Sequence, residues 1–252
     1  MLGCIIQARM GSSRLPGKVL KKINDKYTIL EFQLEQLSCA KSIEKIVIAT
    51  TTLQSDNIIE SFCQKHNIEC FRGKSDDVLD RYYECAKKHN FSIIIRLTSD
   101  NPLIDPLIID NVIQEFKNSN CDYMSTDNPS LSASGFTVEI FNFESLHKSW
   151  TNASLPSERE HVTPYIYKNK TKFRSKNYAT NEDFSKLRCT VDTEPDLILI
   201  KKIVSQIKTR PIHVTDVVEL FNKQPNLQKI NINIEHDGYG KSLEMDKKFL
   251  KM

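Results

Sequence analysis

Short apolar segments rich in β-branched residues alternate with amphipathic helical segments along the first half of this chain. Each predicted strand is followed by one predicted helix, in pairs at 2–8 and 29–40, 45–51 and 56–66, 68–72 and 76–89, and 92–97 and 106–118. The isoleucine run in the last of these strands is typical of a strand buried on both faces. Repeated β-loop-α units predict an α/β fold with a mostly parallel sheet flanked by helices, in which ligands bind at the carboxyl ends of the strands.

The second half of the chain departs from this regular alternation. Further strands are predicted at 121–125, 135–141, 188–191 and 229–234, and further helices at 142–150, 157–167 and 195–207. Residues 150–185 contain the only tryptophan and a stretch rich in serine and asparagine. We therefore expect a single domain over residues 1–252, with a small lobe at about 150–185 that projects from the sheet.

Composition argues against several classes of protein. The 35 lysines and arginines nearly balance the 32 acidic residues, unlike the concentrated basic excess of a dedicated nucleic-acid-binding protein. No apolar run approaches the ~18–20 residues that span a bilayer. The seven cysteines are scattered and form no CxxC pair, which argues against a disulfide framework or a zinc cluster. We expect a cytoplasmic protein that binds neither nucleic acid nor a membrane, and in which local groups hold any anionic ligand.

The segment from Arg9 to Lys18 directly follows the first predicted strand and has the composition of a phosphate-binding loop. Its glycines allow backbone amides to approach an anion, and Ser12 and Ser13 add hydroxyl donors. The side chains of Arg9, Arg14 and Lys18 can neutralise a polyphosphate. The spacing is not that of a Walker loop, because five residues separate the two glycines. The alternative is a solvated basic turn, which so many donors at one strand end disfavour.

Two aspartates follow predicted strands. Asp100 lies between the isoleucine-rich strand and a proline turn, and Asp192 lies between the strand at 188–191 and a helix that begins near Pro195. Since the carboxyl ends of parallel strands share an edge with the first loop, two carboxylates placed there can hold Mg²⁺ against phosphates. The alternative role for each aspartate is to cap the turn or helix that follows it.

The segment 157–165 is charged and rich in hydroxyl groups within a helical pattern. One interpretation is a salt-bridged helix surface, on which residues three or four apart, such as Glu158 and His161, are neighbours. The other is an acceptor-binding site. Because the first loop and the two aspartates already account for a nucleotide and a metal, an anionic acceptor still needs partners, and Arg159 and His161 are the candidates.

With these residues in place, the sequence resembles the cytidylyltransferases of the spore coat polysaccharide biosynthesis type, which are relatives of the CMP-Kdo and CMP-sialate synthetases. The matching segments cover most of the chain in the order that the family has. They are IIQARMGSSRLPGKVL, FRGKSDDVLDRYY, IIRLTSDNPLIDP, GFTVEIF, SEREHVTPYIY and VDTEPDL. The first of these segments is the most specific.

This resemblance implies a nucleotide-diphosphosugar transferase-like fold and a Mg²⁺-dependent transfer of CMP from CTP to a small anionic acceptor, with release of pyrophosphate. It implies that CTP is bound by Ala8, Arg9, Gly11, Ser12, Ser13, Arg14, Lys18 and Thr98. The implied catalytic residues are Arg9, Lys18, Asp100 and Asp192, the last two as metal ligands, and the implied acceptor contacts are Glu139, Arg159 and His161. A homodimer is also implied.

The identity of the acceptor stays open at this stage. Thr137 stands where these relatives usually have an aspartate, and Glu194 and Pro195 are exchanged relative to the usual order. A sugar acid is the expected acceptor in surface polysaccharide or glycan biosynthesis. The alternatives are an acceptor that bears a phosphate or phosphonate, or a nucleotide-sugar-binding protein without catalysis.

Overall fold

The strands of the computed structural model form one sheet. The model describes residues 1–127, 134–178, 184, 187–234 and 238–251. The strands are β1 (Leu2–Gln7), β2 (Lys45–Thr51), β3 (Glu69–Gly73), β4 (Ile93–Thr98), β5 (Tyr123–Ser125), β6 (Glu139–Asn142) and β7 (Ser175–Asn177). Their order across the sheet is β3-β2-β1-β4-β6-β5-β7.

The helices lie between and after these strands. They are α1 (Ile29–Leu37), α2 (Asn57–Lys65), α3 (Val78–Lys88), α4 (Pro106–Asn118), α5 (Phe143–Asn152), α6 (Pro156–His161), α7 (Pro164–Lys168), α8 (Glu194–Gln206), α9 (Val214–Lys223) and α10 (Gly238–Phe249). Short 3₁₀ helices cover Lys18–Leu20, Gln54–Asp56 and Pro225–Ile230. None of the helices within the described ranges is long and apolar enough to cross a bilayer.

The first four strands are parallel, as the sequence pattern predicts. Gln7 at the end of β1 pairs with Ala49 of β2 on one side and with Thr98 of β4 on the other. The loops that follow β1 and β4 therefore leave the sheet side by side at one edge. β6 is antiparallel to both β4 and β5, which makes the sheet mixed beyond β4.

Both faces of the central strands are buried. Ile5 and Ile6 are fully inaccessible although successive strand residues point to opposite faces. Ile6 packs in the cluster beneath α4, and Ile5 packs in the cluster that contains the apolar side of α3. A third cluster joins α8 and α9 to Phe136. Helices packed on both faces therefore fix the position of the strands whose carboxyl ends carry the loops after β1 and β4.

The region around the predicted lobe differs in detail from the sequence-based expectation. The helix predicted at 157–167 is two short helices, because Val162 adopts a φ of 73° and Pro164 begins a new helix. The predicted lobe also contributes β7, which joins the edge of the sheet by pairing with β5. The strand predicted at 135–141 begins only at Glu139.

Two strands predicted in the second half are absent from the described residues. The segment 188–191 forms only an isolated bridge between Ser134 and Arg188. The alternating pattern at 229–234 overlaps the end of a 3₁₀ helix instead. There Asn231 turns inward and its Nδ2 donates to Asp196 Oδ1 at 2.8 Å. A side-chain hydrogen bond thus holds a segment whose pattern predicts a ladder of backbone bonds.

Candidate active site

The loop after β1 is held in shape by its own backbone. The Met10 carbonyl accepts hydrogen bonds from the backbone N–H groups of Ser12 and Gly17, both at 3.0 Å. Gly17 has a φ of 65°, a left-handed conformation that glycine adopts without strain, and it begins the short helix that carries Lys18. Asp56 anchors the loop from outside, since its Oδ1 accepts from Met10 N at 2.7 Å.

This loop borders a cleft of about 240 Å³. All eight residues that the resemblance assigns to CTP line it: Ala8, Arg9, Gly11, Ser12, Ser13, Arg14, Lys18 and Thr98. The sequence pattern therefore gathers the predicted nucleotide contacts around one space. Arg81, Glu160 and His161 complete part of its wall.

Lys18 is the centre of an ionic cluster at this cleft. Its Nζ lies 2.8 Å from Asp100 Oδ2, 3.0 Å from Asp192 Oδ1 and 2.8 Å from the carbonyl oxygen of Val191. Burial disfavours the charged amine, but the two carboxylates outweigh it and raise the pKa of Lys18. The two aspartates that the sequence places after separate predicted strands therefore meet at one ammonium group.

Asp100 is fixed by hydrogen bonds as well as by charge. Thr98 Oγ1 donates to Asp100 Oδ1 at 2.6 Å, and Asn101 Nδ2 donates to the same Thr98 hydroxyl at 3.0 Å. Burial works to raise the pKa of Asp100, but Lys18 and Thr98 more than offset it and the pKa is lowered. Asp100 is therefore ionised and oriented at neutral pH.

The acidic residues around Asp192 divide two roles between them: one caps the following helix, and the other joins the ionic cluster. Asp196 caps α8 by accepting from Thr193 N at 2.8 Å and from Asp192 N at 3.0 Å. The Asp192 side chain forms ion pairs instead, with Arg14 at 3.0 Å and Arg188 at 3.5 Å. Capping thus falls to Asp196, and Asp192 joins the ionic cluster.

Arg81 is a cleft residue that the sequence analysis did not single out. Arg81 is only 2% exposed, and it forms no ion pair with the residues that the structure describes. Nη1 donates to the carbonyl of Lys74, while the buried Nε has no partner in the structure. Burial lowers the pKa of this guanidinium. The sequence signal that could have identified Arg81 is its place among apolar positions of the helix. A buried arginine requires a counter-charge or an anionic ligand.

A second cleft of about 420 Å³ opens beside the first. Glu139 is a buried residue that lines this cleft. Its carboxylate accepts hydrogen bonds from Tyr123 Oη at 2.7 Å and from Thr163 Oγ1 at 2.6 Å. It also forms an ion pair with Arg96, an arginine inside the isoleucine-rich strand. His161 lines both clefts. Of the three predicted acceptor contacts, Glu139 and His161 therefore border this second space.

Arg159, the third residue predicted to contact an acceptor, is bonded to other parts of the chain. Its Nε is 3.1 Å from both carboxylate oxygens of Asp77, and its Nη1 donates to the Trp150 carbonyl at 2.8 Å. Asp77 also caps α3. Arg159 thus joins α6 to α3 and α5, and it lines neither cleft among the residues described. The salt-bridged interpretation describes its environment.

Asp100 and Asp192 supply the carboxylate oxygens that Mg²⁺ prefers, and one oxygen of each contacts Lys18 Nζ, at 2.8 and 3.0 Å. Mg²⁺ takes few protein carboxylates and leaves its remaining positions to water and phosphate oxygens. Across the described ranges, no group of three or more His, Cys, Asp or Glu gathers into a denser metal site.

Comparison with known proteins places this chain in a family. Residues 3–235 match the family model described as cytidylyltransferase. The chain belongs to the cytidylyltransferase family. This cytidylyltransferase is 35% identical to the spore coat polysaccharide biosynthesis protein SpsF of Bacillus subtilis over 229 residues, which are 88% of this chain and 94% of that protein. The resemblance predicted from the motifs is confirmed.

Solved structures confirm the predicted fold class. A cytidylyltransferase from Leptospira borgpetersenii superimposes with a TM-score of 0.87 at 37% identity, covering 93% of this chain and 99% of that one. The structure of CMP:2-keto-3-deoxy-manno-octonic acid synthetase complexed with CTP superimposes with a TM-score of 0.59 at 18% identity, covering 81% and 98%. At that identity the second comparison concerns the fold alone.

Proposed function

We propose that this cytidylyltransferase transfers CMP from CTP to a sugar acid or a related anionic acceptor and releases pyrophosphate, in the biosynthesis of a surface polysaccharide or glycan. The observation that carries the proposal is the pair of adjoining clefts. The first is lined by the cationic loop, the second by a polar and aromatic wall, and His161 borders both. Two substrates bound in these clefts would meet at their junction.

Four cations support the binding of a triphosphate in the first cleft. Arg9, Arg14 and Lys18 come from the loop, and Arg81 comes from α3. Arg81 is the strongest indication, because a buried guanidinium without a carboxylate partner is costly unless an anion binds it. Backbone amides and two serine hydroxyls of the same loop add neutral donors.

Asp100 and Asp192 would hold Mg²⁺ beside this triphosphate. When bound, the ion would neutralise charge that develops on the phosphate oxygens. Lys18 already lies between the two carboxylates, so its ammonium group can contact both the acidic pair and the phosphates of CTP. The proposed catalytic set is therefore Arg9, Lys18, Asp100 and Asp192.

The reaction requires no nucleophile from the protein. An oxygen of the acceptor forms a bond to the α-phosphorus of CTP while the bond from that phosphorus to the bridging oxygen breaks. Pyrophosphate leaves with the electron pair of the broken bond. The cationic side chains stabilise the negative charge that spreads over the phosphate oxygens, and the two clefts keep the reacting atoms in line.

The name of one relative supports the proposed pathway, because SpsF, at 35% identity, is named as a spore coat polysaccharide biosynthesis protein. In this chain, Glu139 and His161 in the second cleft are the proposed acceptor-side residues.

We also propose that the chain is a single cytoplasmic domain and that it forms a homodimer. Light scattering on the purified protein tests the homodimer directly.

Pyrophosphate release measured with each of the four nucleoside triphosphates tests the function. The acceptors are 3-deoxy-manno-octulosonate, a sialic acid, a sugar 1-phosphate and an aminoalkylphosphonate, each with Mg²⁺. We expect release with CTP and a sugar acid, and a loss of at least about a hundredfold in Lys18→Ala because a charge is removed from the transition state. Lys201→Ala, on an exposed turn of α8, is the matched control. Folded protein that releases no pyrophosphate from any combination, or a fully active Lys18→Ala variant, would contradict the proposal.

A further inference from the structure

We propose that His161 accepts the proton of an acceptor hydroxyl during CMP transfer, and that α10 holds the imidazole in the form that can accept it. This inference rests on the proposed function and deepens it. It assigns the acceptor to the class of hydroxyl-bearing sugars and not to phosphates or phosphonates. The contacts of His161, the charges of the second cleft and the position of α10 carry it.

The first step concerns position. His161 lines both the cleft proposed for CTP and the cleft proposed for the acceptor. The attacking oxygen must lie between the two substrates, so a side chain at the junction can contact it. Proton transfer requires that a base reach the attacking group directly or through one water.

The second step concerns the tautomer of the imidazole. Ser242 Oγ donates to Glu160 Oε2 at 2.6 Å, so its lone pairs face His161 Nε2 at 2.9 Å. Nε2 must then carry the proton of this hydrogen bond, which leaves Nδ1 unprotonated in the neutral ring. Among the residues that the structure describes, Nδ1 has no hydrogen-bond partner. It is the nitrogen available to a proton from the substrate.

The third step concerns the helix that supplies Ser242. α10 is held against α6 by Asp246, whose two oxygens accept from Ser157 N at 2.8 Å and from Ser157 Oγ at 2.6 Å. Tyr239 packs edge-on against the His161 ring with 5.0 Å between ring centroids. Since the family model matches residues 3–235, α10 lies beyond the matched segment and adds these contacts from outside it.

The electrostatic surroundings keep His161 neutral near pH 7. Burial lowers its pKa below the ordinary value of 6.5, and Arg96 lowers it further. The facing carboxylates of Glu160, Glu139 and Asp246 act in the opposite direction without restoring the ordinary value. A neutral imidazole is the form that acts as a base.

The charge of the second cleft favours a hydroxyl acceptor. Its arginine, Arg96, is already paired with Glu139. The described lining therefore offers no arginine or lysine that is not already paired to bind a phosphate dianion. Its tyrosine rings and hydroxyl groups suit the faces and hydroxyls of a sugar. A phosphate oxygen is also ionised already and needs no base.

The proton and electrons of this step balance. The hydroxyl oxygen forms its bond to the α-phosphorus, and pyrophosphate leaves with the electrons of the broken bond. The hydroxyl proton moves to Nδ1 of His161, and the resulting imidazolium later releases it to water. No oxidant, reductant or further reactant takes part.

The test is the pH profile of kcat/KM for pyrophosphate release from CTP with 3-deoxy-manno-octulosonate, or with the sugar acid of the acceptor panel that supports the fastest release. In the wild type we expect an ascending limb centred below pH 6.5, the ordinary histidine value. His161→Gln should lose that limb and about a hundredfold or more in kcat. Its CTP affinity, measured by thermal shift, should stay within about twofold, because the CTP cations are untouched. That measurement also confirms that the variant is folded.

Ser242→Ala tests the role of α10 separately. It should lower kcat and shift the ascending limb while the KM for CTP is unchanged, and Met245→Ala on the exposed side of α10 should match the wild type. A wild type that turns over a sugar acid while His161→Gln keeps the limb and the rate would overturn this inference alone. Faster turnover of a phosphate acceptor would also overturn it. Absence of CTP turnover with every acceptor would overturn the proposed function and this inference with it.

Discussion

Replacement of Lys18 by methionine tests the ionic cluster because it removes the charge and keeps most of the side-chain volume. In the structure the ammonium lies 2.8 Å from Asp100 and 3.0 Å from Asp192, with the lysine side chain 12% exposed. At about 3 Å and an effective dielectric constant near 20, each pair attracts by roughly 5 kcal/mol before the cost of burial. Removing one partner of a buried ion pair costs about 3–5 kcal/mol in the free energy of unfolding.

The pH dependence of this loss distinguishes charge from packing. The folded pKa of Asp100 is lowered, so its contribution to wild-type stability is present above the unfolded pKa and is lost as the pH falls through the folded pKa. The pKa of Lys18 is raised, so its contribution is present below the unfolded value and is lost only as the pH rises through the folded value. The variant lacks the cation, so burial favours the protonated form of Asp100 and the variant gains relative stability in acid.

Urea denaturation of Lys18→Met and wild type at pH 7 and at pH 4 measures both effects. We expect the difference in unfolding free energy to be about 3–5 kcal/mol at pH 7 and to narrow clearly at pH 4, near the unfolded pKa of aspartate. A difference below about 1 kcal/mol at pH 7 is the value for an exposed pair and would refute the reasoning. A difference that is the same at both pH values would refute it as well.

Four further substitutions separate the roles assigned to site residues. Asp100→Asn and Asp192→Asn should each shift the Mg²⁺ titration of pyrophosphate release to higher concentration, while exposed Asp25→Asn should not; an unchanged titration would return that aspartate to a structural role. Arg81→Met should raise the KM for CTP about tenfold or more through the loss of a charge-assisted contact, and an unchanged KM in steady-state kinetics would exclude it from CTP binding. Arg159→Ala should lower the free energy of unfolding by about 1–3 kcal/mol in urea and leave the KM values of both substrates unchanged, whereas a selective rise in the acceptor KM would restore the role predicted from its motif.

The fold and the residues that line the first cleft could be predicted from the sequence because both depend on local signals. Alternating strand and helix patterns place the loops after β1 and β4 at one edge, and this brings Lys18 and Asp100 together. Asp192 follows a segment that is not a regular strand, yet a backbone bond from Val191 N to the Asp100 carbonyl at 2.8 Å brings it to the same place. Asp192 therefore lies beside Lys18 although no regular strand precedes it, and its role as a metal ligand stays a prediction.

The contacts of the residues proposed to bind the acceptor were harder to predict, because they depend on side chains far apart in the sequence. Arg159 and Asp77 are separated by 82 residues in sequence, and nothing in the local pattern of either one identifies the other as its partner. Arg96 carried a usable signal, since a charged residue within an isoleucine run needs a counter-charge, but its partner Glu139 is on an antiparallel strand. The contribution of α10 to His161 depends on tertiary packing between segments about 80 residues apart.

The fate of the two ends of the CTP triphosphate tests the central claim most directly. Wild-type protein is incubated with a sugar acid and CTP that carries ³²P at either the α or the γ position, and the products are separated. We predict that the α label appears in the acceptor product and that the γ label is recovered only as pyrophosphate. Transfer of the γ label to the acceptor, or release of label as inorganic phosphate without a labelled acceptor product, would contradict the proposed cytidylyl transfer.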